Sequence, residues 1–159
     1  MKRPILIIAV LSIVALSYGQ STFKPNNLYL ELGGNGLWTS LNYERQLTNE
    51  PGLGVRVGVG FYTENAFYLT IPVGINYLFR LKDNRSFIDA GLGTTWAGIG
   101  KISTDPLKNA REFNFVNFVP SIGYRRESSG NLMWRVSLTP VANKFGLVPW
   151  LGISMGKRF

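Results

Sequence analysis

The chain has neither cysteine nor histidine. Without cysteine there is no disulfide framework and no thiolate nucleophile. Without histidine the commonest metal ligand and the commonest general base near neutral pH are absent. Ser–His–Asp and Cys–His catalysis are excluded together. A carboxylate pair such as Glu31 with Asp89 remains conceivable for acid–base work, but no spacing singles it out. The expectation is therefore a protein that is not an enzyme, with no cofactor and no metal. Charge is also scarce, at 16% of residues, against an ordinary share of about 25%. Beyond residue 20 no apolar run reaches the roughly 18 residues of a spanning helix.

What is present begins with an export signal. Met1-Lys2-Arg3 is a short basic start and Ile5–Leu16 an apolar run. Ser17-Tyr18-Gly19 supplies small residues at the positions before a cut. Residues 1–19 therefore read as a signal peptide, helical in the precursor, and 20–159 as one domain. An uncleaved anchor helix is the competing reading, but the run is short for one. Losing Lys2 and Arg3 lowers the formal charge from +8 by two, to +6. These charges are scattered, so nucleic acid is not an expected partner.

The domain alternates. In Phe67–Arg80 the odd positions are Phe67, Leu69, Ile71, Val73, Ile75, Tyr77 and Phe79. The even positions are small, polar and finally charged. A period of two is a strand with two unlike faces. The stretch exceeds the 9–11 residues a tilted strand needs to cross a bilayer. The same pattern recurs from residue 28 to Phe159, giving eight strands. Gly33-Gly34-Asn35-Gly36, Thr48–Gly52, Thr63–Ala66, Lys82–Arg85, Glu127–Asn131 and Ala142–Gly146 are the turns between them. Gly98–Arg111 is the one long connection. Pro120 predicts a bulge or bend in the sixth strand. The second strand is predicted to point Leu37 and Leu41 one way, Trp38 and Ser40 the other. An eight-strand meander brings both chain ends to one side.

Two barrels fit such a meander, one apolar inside and one apolar outside. An eight-strand interior is just wide enough for side chains to fill. It has no room for all the Leu, Ile, Val, Phe and Trp of the apolar faces. The polar faces, rich in Gly, Ser and Thr, suit the interior. The aromatics Tyr43, Tyr77, Phe79, Tyr124, Trp134 and Phe159 share the apolar face near one set of strand ends. Phe61, Phe67 and Trp96 share it near the other. Two such belts match the girdles of a membrane barrel.

With its signal peptide, eight alternating strands and terminal Ile153-Ser154-Met155-Gly156-Lys157-Arg158-Phe159, the chain resembles the small eight-stranded outer-membrane barrels of Gram-negative bacteria, the OmpA and OmpX type. The resemblance implies an all-β, antiparallel up-and-down transmembrane barrel in the outer membrane. It implies contact with membrane lipid and lipopolysaccharide, and delivery of the terminal aromatic strand to the barrel-assembly machinery. The missing histidine departs from the deacylase and protease barrels of that membrane. The short outer connections depart from the usual long loops.

The inward faces carry Glu31, Glu44, Arg56, Arg80, Asp89, Arg125, Arg135 and Arg158. Buried charges pair or neutralise, so these are expected to form a salt-bridge network that plugs the lumen. A narrow ion path is the sharper alternative. Ten inward glycines make room for bulky neighbours, or leave a pocket for a small apolar ligand near Trp38, Tyr62, Tyr68 and Thr95. Lys101, Lys108 and Arg111 on the long connection are candidates for lipopolysaccharide or a surface partner. The overall expectation is a monomeric barrel with a structural or surface-interaction role. A narrow channel or carrier is one alternative; a secreted lipocalin-like barrel with an apolar, ligand-binding core is another.

Overall fold

The computed structural model describes residues 23–63, 67–98, 115–143 and 146–159. The signal segment and most of the long connection lie outside them. The described strands are β1 (Asn26–Gly33), β2 (Thr39–Gln46), β3 (Leu53–Thr63), β4 (Phe67–Arg80) and β5 (Ser86–Ala97). They continue with β6 (Phe115–Glu127), β7 (Leu132–Leu138), β8 (Val141–Asn143), β9 (Gly146–Val148) and β10 (Leu151–Arg158). From β1 to β7 each strand pairs antiparallel with the next; β8 pairs with β6 and β9, β10 pairs with β7, and β1 pairs with β10 to close the ring. β7 with β8 makes the seventh stave of the barrel, and β9 with β10 the eighth. The fold is a closed eight-stave antiparallel barrel. Asn26 and Phe159 exchange backbone hydrogen bonds of 3.2 and 2.9 Å, so both chain ends lie at one mouth. That mouth is the terminal end below; the opposite one is the far end.

The burial pattern follows the period of two. β1 alternates strictly in its middle, and β7 throughout. Outward-facing Leu30, Ile153 and Leu151 are 58%, 60% and 66% exposed, while inward-facing Arg56 and Arg135 are 5% and 2% exposed. The described residues leave 31 large apolar side chains exposed, most of them on the outer wall. Each would gain about 1.5–3 kcal/mol from an apolar surrounding, so this wall is built for hydrocarbon rather than water. An apolar interior behind a polar wall is not the arrangement adopted.

The expected bulge at Pro120 does not form. Pairing of β6 with β5 runs unbroken from Ser86↔Arg126 to Ala97↔Phe115 and includes Leu92↔Pro120. The irregularity falls on the other side. Extending the β6–β7 register sets Pro120 opposite Pro140, and extending β7–β10 sets Pro140 opposite Pro149. Proline has no N–H to donate, so the seventh and eighth staves each divide at this level. Register is kept across the gap, as Phe118↔Ala142 and Val141↔Val148 show.

The wall is uneven in height. β3 to β6 are 11 to 14 residues long, whereas β1 and β2 have 8 each. The short side is where the chain turns into the lumen.

Candidate functional site

The terminal half of the lumen is ionic. Arg135 on β7 donates to Glu31 Oε1 on β1 at 2.7 Å and to Asp89 Oδ2 on β5 at 3.0 Å. Arg125 on β6 donates to Glu44 Oε1 on β2 at 2.6 Å and lies 3.3 Å from Glu127 and 3.8 Å from Asp89. Arg158 on β10 pairs with Glu127. Neutral groups complete the shell: Ser154 donates to Glu31 and accepts from Arg135, Asn76 donates to Asp89, and Gln46 donates to Glu44. The Tyr29 ring lies 5.1 Å from the Arg135 guanidinium, within cation–π range. The pairs Arg135–Glu31, Arg135–Asp89, Arg125–Glu44 and Arg158–Glu127 each join strands that are not neighbours, and so reach across the lumen. Because side chains of a strand reverse face with a one-residue slip, they hold six staves in register.

Arg80 is not part of this network. Its strand parity points inward, but it stands at the exposed end of β4, as the last residue of that strand. It is 44% exposed and 3.9 Å from the exposed Glu50, a pair of little energetic weight. Glu127 takes the place the sequence reading missed. It reads as a turn residue in Glu127–Asn131, yet β6 continues to it, two residues beyond Arg125 and on the same inward face. With Arg80 out and Glu127 in, four acids (Glu31, Glu44, Asp89, Glu127) meet four bases (Arg56, Arg125, Arg135, Arg158). The set is neutral, which offsets much of the cost of burying eight ions. Arg56 is the looser member: it donates to Ser121 Oγ at 3.3 Å and has no carboxylate within 4.0 Å among the described residues.

In the far half, backbone enters the lumen. After β1 the chain does not form an outward hairpin tip. Residues Gly34–Gly36 make one 3-10 turn that folds into the lumen and is fully buried. Thr70 Oγ1 donates to the Gly36 carbonyl at 3.2 Å and Thr95 Oγ1 to the Asn35 carbonyl at 2.5 Å. Trp150 Nε1 donates to the Leu37 carbonyl at 2.9 Å, and the Asn35 N–H donates to Glu31 Oε2 at 3.1 Å. Gly33 and Gly34 have φ of 70° and 68°, which glycine adopts without penalty. Leu37 has φ 74° and ψ −77°, a γ-turn conformation that is strained for a side chain of this size. Its burial repays that strain: it packs with Ala97, Val119 and Val141, against Tyr62 and Trp150. The turn also needs a bare wall. A Cβ on Gly152 would sit 2.9 Å from Gly34 Cα.

The inserted turn changes two expectations. Leu37 faces in and Trp38 faces out, 49% exposed, because regular alternation starts only at Thr39. The proposed far pocket is not assembled. Trp38 has left it, Thr95 holds the turn, and Tyr62 rests on the apolar cluster with Tyr68 at 6.1 Å between ring centroids. The space beneath the far rim is occupied by the turn itself.

The girdle residues fall on the outer wall. At the terminal end they stand in neighbouring pairs: Tyr43 with Phe159 at 6.5 Å, Tyr77 with Phe79 at 4.7 Å, and Tyr124 with Trp134 at 5.4 Å. Tyr43 and Tyr124 keep their hydroxyls bonded, to Asn26 and Ser86. Toward the far end Phe61 and Trp96 are exposed, and Trp38 joins them. The side chain of Phe67, and Lys101, Lys108 and Arg111, lie outside the described residues.

No family model matches the chain, and no curated protein matches it. Solved structures do. The N-terminal β-barrel domain of Pseudomonas aeruginosa OprF superposes with a TM-score of 0.60 at 12% identity, over 84% of this chain and 95% of that one. The Yersinia pestis outer membrane protein Ail, in a phospholipid bilayer nanodisc, gives 0.53 at 12% identity, over 86% and 100%. The chain thus has the fold of the small eight-stranded outer-membrane barrels, all-β and closed. At this identity the likeness is one of architecture.

Proposed function

We propose that the chain is a monomeric outer-membrane barrel of a Gram-negative envelope, with a structural or surface-interaction role and a sealed lumen. The observation that carries this reading is the inversion of polarity: a broad apolar wall surrounds a neutral, ion-paired interior. An aqueous pore needs a continuous polar path, and here one half of the lumen is crossed by ion pairs and the other by a backbone turn. The chain ends then face the periplasm, and the far connections, with Lys101, Lys108 and Arg111, face lipopolysaccharide or a surface partner. β10 with the aromatic Phe159 after it is the segment offered to the assembly machinery. No catalytic step is assigned to the lumen groups, which are committed to one another. Two measurements test the proposal. The folded chain should require detergent or lipid to stay monodisperse; solubility without either would end the membrane reading. In planar bilayers it should show no steady current; a stable current abolished by substitutions at Arg125 or Arg135 would replace the sealed barrel with a channel.

A further inference from the structure

The charges divide unevenly over the molecule. The lumen set sums to zero. The connecting segments 64–66, 99–114 and 144–145 hold four bases and three acids, a net +1. The terminal mouth carries the rest: seven bases against Glu50 and Asp83, a net +5. Those bases fall into two groups. Arg45, Arg126 and Lys157 lie on the outward face of β2, β6 and β10, each two residues from a girdle aromatic: Tyr43, Tyr124 and Phe159. For Arg45 and Arg126 the two residues, about 7 Å of strand, lead from the aromatic belt toward the mouth, to headgroup depth; Lys157 stands on the other side of Phe159, and its long stem reaches the same depth by snorkelling. Arg80, Lys82 and Arg85 flank the β4–β5 turn, all exposed, next to the end of β6 that carries Arg126, where the Glu127 N–H donates to the Arg85 carbonyl. Lys24, just before β1, is exposed as well.

The acids near this mouth offset only part of the collar: Glu50 faces Arg80 alone among the described bases, at 3.9 Å and exposed. Glu44 and Glu127 point into the lumen and are taken by Arg125 and Arg158. Asp83 is held by its own turn, accepting from Ser86 N–H and hydroxyl at 2.8 and 2.6 Å. Bases of one sign spread around the mouth, at the level of an aromatic belt and toward the chain ends from it, fit anions arranged around the wall at headgroup depth. We propose that the terminal mouth is a docking collar for the headgroup phosphates of anionic phospholipid, of the phosphatidylglycerol and cardiolipin class, in the leaflet that meets it. The proposal rests on the reading that the barrel spans a bilayer.

Trp134 reports on the collar, because it is the register partner of Arg126 and lies on the outer wall. The full chain carrying Trp38→Phe and Trp96→Phe would be folded into phosphatidylcholine vesicles with a minor share of phosphatidylglycerol, and one lipid or the other brominated. Brominated phosphatidylglycerol should quench Trp134 as if enriched roughly fivefold at the wall. The enrichment should fall toward one at about 1 M salt, and in the variant Arg45→Gln, Arg126→Gln, Lys157→Gln. Equal quenching by the two lipids, or enrichment kept in the triple variant, would overturn the collar. If the triple variant does not fold, the salt series on the parent decides: enrichment that survives high salt counts against it. Absence of quenching by brominated phosphatidylcholine is a different failure, since it would remove the bilayer reading first.

Discussion

Near the terminal end, the staves are tied across the lumen by guanidinium–carboxylate pairs contributed by separate strands. Near the far end, the same narrow space is filled by one continuous piece of backbone and a small apolar cluster. The first arrangement depends on many residues, each on a rigid strand, and on an even balance of charge. The second depends on a local chain reversal, on bare glycine walls and on a few hydroxyl and indole donors. Glu31 belongs to both: one carboxylate oxygen meets Arg135 and the other meets the Asn35 N–H. A small barrel thus fills its interior by two physical routes, with a single carboxylate where they meet.

The largest effect is expected in the ionic half. Arg135→Leu strands Glu31 and Asp89 without their main partner, and breaking a buried pair costs about 3–5 kcal/mol. Denaturant unfolding in detergent micelles measures it, and a loss under about 1 kcal/mol would show that the ionic half is not what holds the staves. Glu31→Gln should cost somewhat less, about 1.5–3 kcal/mol for its charged hydrogen bonds. It should also speed amide exchange at Asn35, and an unchanged Asn35 amide would uncouple the two halves. Gly152→Val intrudes on the inserted turn, at about 1–3 kcal/mol of overpacking. Its exchange signature should be confined to residues near 34–37, and spread into the ionic half would blur the contrast. Trp150→Phe removes one hydrogen bond to the turn, about 1 kcal/mol, and combined with Arg135→Leu it should be near additive.

The smallest effect lies outside both halves and serves as a control. The Ser86 hydroxyl, with the Ser86 and Arg85 N–H groups, holds the Asp83 carboxyl below its ordinary range in the β4–β5 turn. Its folded value is depressed, so its contribution to stability is present above the unfolded value and is lost as pH falls through the folded one. Asp83→Asn should therefore differ from the parent above pH 4 or so and converge with it in stronger acid. A difference that grows on acidification would reverse that sign.

The barrel and the ionic half were legible because both depend on a period of two. Once Leu69, Ile71 and Val73 are placed outward, the positions of Glu31, Glu44, Arg56, Asp89, Arg125, Arg135 and Arg158 follow from parity alone. Parity fails where strands end. Arg80 has inward parity but stands at the exposed end of its strand, and Glu127 was hidden by a turn signal that begins one residue too early. The inserted turn was harder to read. Gly33-Gly34-Asn35-Gly36 announces a reversal of chain direction, but nothing local says whether the reversal points away from the barrel or into it. That choice is made by Thr70, Thr95, Trp150 and Gly152, which come from three other staves. The proline row was likewise visible residue by residue, but its alignment across three staves appears only once register is known.

The even count of acids and bases inside the wall has a consequence for voltage. A potential across the bilayer pulls each buried ion, but on a set that sums to zero the pulls oppose one another. Moved as one rigid body, the interior carries no net charge through the field, so voltage alone does not drive the ion-paired set along the barrel axis.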